Sequence, residues 1–522
     1  MNTKQLAWAI TFACSTAASY AATWNPVPLP PSLTEAAELL QGYNYVLETN
    51  AKGRPVAVNV SGKNGSGRDA AVTPIMPTET VSHQITFIPF DIADLPEELR
   101  SYPPGAVIRI SLPENLHRMR AGEKLSLALP TGEYAYIHDH AVRHENGDQT
   151  WIGSAERDGD SFRAVLTSGG KGTIGSFNTP DGEFLVEAAG DGSAWMIDVR
   201  RAGLQLVPND FDHATPPTAG DLPMESVEAL VTPKLEAAKT FKKKKFAKRP
   251  KAKRTAKSAF KKKKNKKRGR AQTSSPSPAP IPAADPEAPT TIDVLVLYTP
   301  NFASGNYDTR INYLVTVANQ AYADSHIPLT LRIVGRQPIS YPEDDSNTNA
   351  LTAITSAATA FVNVPQLRSQ YGADLVVLLR PFHLTQGSCG AAWVNGSGTG
   401  VMSSAYGYSE VSDGREGTSY CQDITFVHEL GHNLGNVHDR EHSHSPGIYS
   451  YSYAWGVNGK YGTIMSYYQP MVNKFAGPDL TCTSEGDPCG YDQSDVARAS
   501  DNVLTIKQTA PITASFMPKV VP

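Results

Sequence analysis

A length of 522 residues predicts about three domains, each large enough to bury a core. The formal net charge of −3 hides a strong asymmetry: residues 242–270 hold 18 Lys or Arg and no acid, whereas 271–522 hold 12 Lys or Arg against 22 Asp or Glu. Past the N-terminus no apolar run reaches the ~20 residues a spanning helix needs, which excludes a helical membrane protein.

In chain order, residues 1–21 read as a signal peptide. Lys4 gives the positive start, residues 6–14 form a short apolar run, and Ser19-Tyr20-Ala21 is a small-residue cleavage site. Thr11-Phe12-Ala13 before Cys14 lacks the aliphatic residue expected of a lipoprotein, so a soluble secreted product is predicted.

Residues 22–241 read as a β-rich propeptide. Short alternating stretches at 106–112, 125–129, 134–138, 162–167, 184–188 and 194–199 are separated by Gly, Asp and Asn, the pattern of a sandwich or curved sheet. Its histidines show no repeated ligand spacing. His138 and His140 share one face of a strand, where a hydrogen-bonded pair is favoured over a metal site. Asp210, Asp212 and His213 lie in its tail, and nothing in the sequence singles them out.

Residues 242–290 form a linker, first Lys/Arg-rich and then Pro/Ala-rich. Like charges repel and few apolar residues are available to bury, so disorder is predicted. Such a basic run is readily cut by trypsin-like proteases, contacts anionic surfaces, or serves as a solvated spacer. Phe241, Phe246 and Phe260 are too sparse to stack nucleic-acid bases.

The last part, 291–522, predicts a largely parallel sheet with helices packed on it. Strands at 292–298, 329–334 and 374–379 alternate with helices at 308–324 and 350–362. Residues 390–394 and 401–405 are expected as the sheet edge, able to hold a peptide by main-chain pairing. A helix at 420–435 and a closing helix at 495–509 complete the expectation.

The chemistry lies in residues 428–439, His-Glu-Leu-Gly-His-Asn-Leu-Gly-Asn-Val-His-Asp. His428 and His432, four apart, face one side of a helix one turn apart. Two neutral imidazoles so placed bind Zn²⁺, and Glu429 beside them is free to act as a base. Gly435 ends the helix, and the returning chain brings His438 as third ligand, leaving one coordination position for water.

His428-x-x-x-His432-x-x-Gly435-x-x-His438 resembles the signature of metzincin zinc proteases. Met465 in Thr463-Ile464-Met465-Ser466-Tyr467 resembles their Met-turn, and Asp439 resembles the reprolysin-type branch. Residues 292–300 (IDVLVLYTP), 387–394 (GSCGAAWV) and 495–516 extend the likeness to bacterial reprolysin-like proteases, the peptidyl-Asp metalloendopeptidase group above all. The resemblance implies an α/β (α+β) zincin-type catalytic domain with a mixed, mainly parallel sheet and an active-site helix, behind a β-rich propeptide.

It further implies a secreted monomer made as a zymogen, its propeptide acting as inhibitor and chaperone, that hydrolyses protein or peptide substrates next to acidic residues. Tyr467 resembles a zinc-side tyrosine that donates to the oxyanion or ligates zinc at rest, and a merely packed tyrosine is the alternative. Asp439 is expected to brace the motif by hydrogen bonds, and His442 and His444 to lie at the surface. Four cysteines remain after the signal and allow three pairings. Cys482 and Cys489 flank Gly486 and Pro488 and could staple one loop, leaving Cys389 with Cys421, the pairing the resemblance also suggests. No mature cysteine precedes 291, which rules out latency by a thiol.

Arg332, Arg368, Arg380, Arg415 and Lys460 are the candidates for an acid-binding pocket. Asp479, Glu485, Asp487 and Asp492 offer oxygens to a calcium ion, though their spacing matches no recognised loop. Two other functions fit less of the sequence: a polyanion- or surface-binding secreted protein with a non-proteolytic metal site, and a zinc hydrolase of non-peptide substrates.

Overall fold

The computed structural model describes residues 45–49, 55–59, 82–129, 132–207, 212–217 and 286–520. The signal peptide and the Lys/Arg-rich run lie outside the described residues. The chain divides into two compact units, 1–86 with 113–139, and 87–112 with 140–522. Most of the predicted propeptide thus shares a unit with the predicted catalytic part.

In the first unit, Lys124–Leu129 pairs antiparallel with residues 132–137, and Ser82–Gln84 joins Lys124–Leu129 in parallel. Leu125, Leu127 and Leu129 are buried and alternate with half-buried neighbours, the period of a strand with one face on a core.

The second unit opens with an antiparallel meander. Gln149–Ala155, Gly159–Gly169, Gly172–Thr179, Gly182–Ala188 and Ala194–Asp198 pair in sequence, and Val107–Ser111 pairs with the last. The chain then contributes two short strands to a second sheet, β1 (Gln205–Leu206) and β2 (His213–Ala214).

That second sheet is built on β3 (Thr290–Tyr298), β4 (Leu329–Pro338), β5 (Leu375–Pro381) and β7 (Tyr408–Glu416). Their order is β4-β3-β5-β7, all neighbours parallel. The free edge of β7 carries β6 (Gly390–Trp393) opposite Ser409–Val411 and β8 (Ser419–Cys421) opposite Gly414–Glu416, both antiparallel. β2 adds to β6 and β1 to β8, both in parallel.

Helix α1 (Tyr307–Asp324) buries Ile311, Leu314, Val315, Ala318 and Tyr322, as its periodicity predicts, but also Tyr313, Val317 and Ala321. The reason is a cover on each side: Ile152 and Val165 of the meander belong to the same apolar cluster as α1, β3 and β5. A helix covered all round has no solvent face, so its polar residues Asn312, Gln320 and Asp324 are buried as well.

Several elements differ from expectation. The helix expected at 350–362 ends at Thr355 and is followed by a short 3-10 turn, Thr359–Phe361. α2 (Asn347–Thr355) starts at a Ser346 cap, and the backbone then turns at Ala357, where φ is 52°. α3 (Val364–Tyr371) follows, with Pro365 in its first turn and left-handed Gly372 after its end. The strand expected at 401–405 is absent. The expected edge at 390–394 is β6, and the strand between it and β5 is β7, whose polar sequence YSEVSDGRE hid it. Helix α4 (Thr425–Asn433) is shorter than the predicted 420–435 because β8 and the Cys389–Cys421 disulfide occupy its expected start. α5 (Asn502–Thr513) begins later than expected, where the Asp501 carboxylate accepts the Leu504 N–H at 2.8 Å.

Candidate active site

α4 lies beneath β6 and β7 and is buried along its whole length, histidines included. Its end is a paired-turn cap: the Gly435 N–H donates to the His432 carbonyl at 2.9 Å, and the Asn436 N–H to the Gly431 carbonyl at 3.1 Å. Gly435 has φ of 88°, a conformation glycine adopts without strain. The reversal brings His438 back to the helix.

Three ring nitrogens then converge. Nε2 of His438 lies 3.2 Å from Nε2 of His428 and 3.1 Å from Nε2 of His432. The other nitrogens of the helical pair are committed. Nδ1 of His428 donates to the Ile464 carbonyl at 2.8 Å, and Nδ1 of His432 to the Asn436 carbonyl at 2.9 Å. In a neutral imidazole the second nitrogen then bears a lone pair. The lone pairs of His428 and His432 therefore face the third histidine with no proton of their own to share, an arrangement that a cation satisfies. Ligands ~2.05 Å from a tetrahedral zinc stand ~3.3 Å apart, close to the spacing observed. Burial, with the neighbouring imidazoles, pushes His432 well below the usual histidine range, and burial pushes His438 down to about 4, so both favour the neutral, ligating form.

Glu429 is fully buried, and neither carboxylate oxygen has a hydrogen-bond partner among the described residues. Burial, then the charges of Asp212 and Glu410, push it well above the usual carboxylate range. It lies against Gly390 of β6, where a Cβ would collide with its Oε1.

Met465 sits under the cluster. It is wholly buried among Leu430, Leu434 and Phe475, and a Cβ on Gly431 would strike its sulfur. Its turn does more than fill space, since the preceding carbonyl, that of Ile464, fixes the ring of His428. Asp439 ties this turn to the histidine motif. Its Oδ2 accepts from Ser466 Oγ at 3.2 Å and from the Tyr467 N–H at 3.3 Å, and its Oδ1 accepts from His442 Nδ1 at 2.7 Å. His442 is therefore not the surface residue the sequence suggests. It lines the cleft, because Asp439 holds it there, whereas His444 is exposed. The Tyr467 hydroxyl stands 2.9 Å from Nε2 of His438.

A residue the sequence did not single out completes the cluster. Asp212 is fully buried, with Oδ1 3.0 Å from Nε2 of His438 and Oδ2 3.3 Å from Nε2 of His428. Tyr467 donates its hydroxyl to Oδ2 at 3.0 Å. Burial alone would raise this carboxyl, but His438 and the hydrogen bond from His213 hold it well below the usual range. No local signal marks Asp212, because its place depends on β2 docking 255 residues away from Tyr467 in sequence.

Two disulfides form, Cys389–Cys421 and Cys482–Cys489. The first joins the approach to β6 to the end of β8, so it frames the cleft edge. Three of the four acids considered for calcium have partners of their own. Glu485 and Asp487 pair with Lys460, Asp492 accepts from Ser494, and among the described residues the clusters of three or more His, Cys, Asp or Glu side chains close enough to share an ion fall at the histidines. The candidate acid-binding cations are also committed elsewhere: Arg332 to Asp293, Arg380 to Glu410, Arg415 to Glu187, Lys460 to Glu485 and Asp487, and Arg368 to three backbone carbonyls.

Beside the cluster runs a cleft of about 790 Å³. Its wall from residues 291–522 includes Gln422, Thr425, His442, Gln469 and Asn473. The turn at 179–183 and Arg200 close it from the meander side.

Residues 288–494 match the family model for reprolysin-like metallopeptidases of family M12B, and residues 108–202 match the BamI lipocalin-like domain. A peptidyl-Asp metalloendopeptidase of Pseudomonas aeruginosa is 31% identical over 282 residues, covering 46% of this chain and 43% of that one. Namesakes from Stenotrophomonas maltophilia and Xanthomonas campestris are 28% and 26% identical, over 45% and 44% of this chain and 55% and 52% of theirs. The chain spans about half the length of the curated relatives it matches. Among solved structures, metalloproteinase-II from Bacteroides fragilis aligns with 68% of this chain and 88% of that one, at 13% identity and a TM-score of 0.34, too low to bear on the fold. Residues 288–494 thus match a reprolysin-like metallopeptidase domain and contain the whole three-histidine cluster.

Proposed function

We propose that the chain is the latent precursor of a secreted zinc endopeptidase. The observation that carries this reading is the pair of fixed imidazole tautomers, which aim two lone pairs at His438 beside an unpartnered buried carboxylate. His428, His432 and His438 would hold the ion. Zinc bound there would supply Lewis-acid polarisation of a carbonyl and a water acidified towards pKa ~7. The protein's own groups do the rest. Glu429, raised by burial, accepts a proton from the attacking water and returns it to the leaving amine. Tyr467 donates its hydroxyl towards the charge that develops on the scissile oxygen. The edge of β6 holds the peptide backbone by strand pairing.

The relatives' name implies cleavage beside aspartate, and we propose the same preference here. No guanidinium of the mature part lines the cleft among the described residues, so an acidic side chain would be read by neutral donors such as Gln422, Thr425, Gln469 and Asn473, with His442 nearby. The N-terminal signal sends the product out of the cell, and the basic run is the processing site.

The test is incubation of the secreted protein, its linker cut by trypsin, with an unstructured protein, with and without a zinc chelator. Mass spectrometry then reads every cut. Chelator-sensitive cuts next to acidic residues are expected. No chelator-sensitive cut would sink the protease reading, and cuts with no acidic bias would sink the specificity.

A further inference from the structure

We propose that Arg415 reads a second acidic side chain of the substrate, about four residues from the acid beside the scissile bond, once the meander has left. The inference rests on the protease reading above and deepens it.

Residues 271–522 hold 12 Lys or Arg against 22 Asp or Glu, so their overall field repels an acidic peptide. Attraction needs a local cation, and most cations of 286–520 are paired from within. Arg332 pairs with Asp293, Arg380 with Glu410, Lys460 with Asp487, and Arg310 with Asp413 and Asp423. Those pairs remain when the meander goes. Arg415 differs. Its Nη1 donates to Oε1 of Glu187, its Nη2 to Oε2 at 2.9 Å, and its guanidinium lies 5.9 Å from the centre of the Tyr102 ring. Both partners precede the linker. Among the described residues, the other Lys or Arg of 286–520 paired with a meander carboxylate is Lys474, with Asp160, and it keeps the Thr481 carbonyl at 2.9 Å. Departure of the meander thus leaves Arg415 a fork of donors, matched to a carboxylate, without one to hold.

The hairpin of β7 and β8 sets this guanidinium beside the cleft wall. Arg415 stands opposite Tyr420, so the two side chains are neighbours on one face of the sheet. Tyr420 and Gln422 line the cleft together with Thr425 and His428. Both donate to Oε2 of Glu183, at 3.3 and 3.4 Å. Glu183 and Glu187 lie on one strand, Gly182–Ala188, four residues apart. They therefore face the same side, with their backbones ~13 Å apart. One extended segment already lies along the hairpin in this way, with one acid at the cleft wall and the next in the fork of Arg415. An extended substrate with the same spacing meets the same two sets of donors. The neutral donors of the cleft read the acid beside the bond, and Arg415 reads the remote one.

The experiment uses the trypsin-nicked full chain and pairs of unstructured peptides competing in one reaction, read by mass spectrometry. Each peptide carries a single Asp as its cleavage site. One member of a pair has a Glu at a scanned distance on either side of that Asp, and the other has a Gln at the same place. Competition reports the ratio of kcat/KM, which does not depend on the fraction of enzyme freed of its meander. The parent should favour the Glu peptide about fivefold or more at a spacing of about four on one side, and by about onefold elsewhere. Arg415→Gln should bring the favoured ratio to about one, and Arg415→Lys, which keeps the charge without the fork, should leave an intermediate value. A parent with no Glu advantage at any position would overturn the proposal, as would an advantage undiminished in Arg415→Gln. If that variant fails to fold, an undiminished advantage in Arg415→Lys overturns it in the same way. A parent that makes no chelator-sensitive cut in any peptide would instead overturn the protease reading itself.

Discussion

Arg163 and Asp324 join the two parts of the second unit through a forked ion pair: Nε of Arg163 donates to Oδ2 of Asp324 at 2.9 Å, and Nη2 donates to Oδ1. Asp324 is the last residue of α1, where the helix dipole disfavours an anion, and its side chain is almost wholly buried. Burial raises its carboxyl, and Arg163, with Asn473 and Gln320, works against that. Removing one partner leaves a buried charge without its counter-ion, which costs roughly 3–5 kcal/mol. Arg163→Ala in the full chain should therefore lower the denaturant midpoint sharply. An unchanged midpoint would mean that the pair holds nothing together. Because this arginine belongs to the meander, the meander acts as a folding partner for α1.

Gly390 is a point of close approach between β6 and α4. A Cβ there would meet the Glu429 carboxylate and the Glu410 carbonyl. Gly390→Ala should displace Glu429 while leaving the three histidines in place. A shift of about 1 Å in a reacting group costs ~10²-fold in rate. After linker cleavage, this variant should bind zinc as the parent does and cleave peptide about a hundredfold more slowly. Parental turnover would remove Glu429 from the proton-transfer role or show that β6 yields freely.

Asp439 joins His442, Ser466 and the Tyr467 N–H in one carboxylate. Asp439→Asn keeps the shape but replaces one acceptor oxygen by a donor, which faces either the His442 ring or the Ser466–Tyr467 turn. The turn that orients His428 through Ile464 then loosens. Metal affinity should drop ~10–100-fold, the range for partners that orient ligands. Competition with a chromogenic chelator reads it directly, and parental affinity would reduce Asp439 to packing.

What the sequence made legible is what local geometry dictates. Histidines four apart on a helix and a glycine that reverses the chain after them need no knowledge of the rest of the molecule. The alternating and continuous apolar runs likewise announced β3, β4, β5 and α1. What stayed hidden depends on distant pairing. β7 does not read as a buried strand because the residues it buries are polar and paired, Glu410 with Arg380 and Ser412 with Asn347. Asp212 looks like any acid in a tail, and only the pairing of β2 with β6 carries it to the histidines. His442 seemed exposed because its partner, Asp439, had been read only as a brace.

The pH dependence of docking follows from Glu183. It lies in the turn that closes the cleft, accepting from the Tyr420 hydroxyl at 3.3 Å and from Gln422 at 3.4 Å. Burial first, then the nearby charge of Asp423, push its carboxyl up to about 8, against ~4.3 for a solvated glutamate. The group is protonated in the docked state and ionised once released. A pKa raised in the docked state favours docking fully below ~4.3, and that contribution is lost as pH rises through about 8. In the window between, affinity of the severed meander for the peptidase domain should fall by at most tenfold per pH unit, with proton uptake on docking. Glu183→Gln carries no ionisable group, so its docking should be flatter with pH and tighter than the parent's near pH 8. Titrating dissociation of the trypsin-nicked, Glu429→Ala protein from pH 5 to 9 measures the slope. A parent slope equal to that of Glu183→Gln would place the pH control on another group, whereas the expected difference would make a rise towards alkaline pH one of the forces that release the meander.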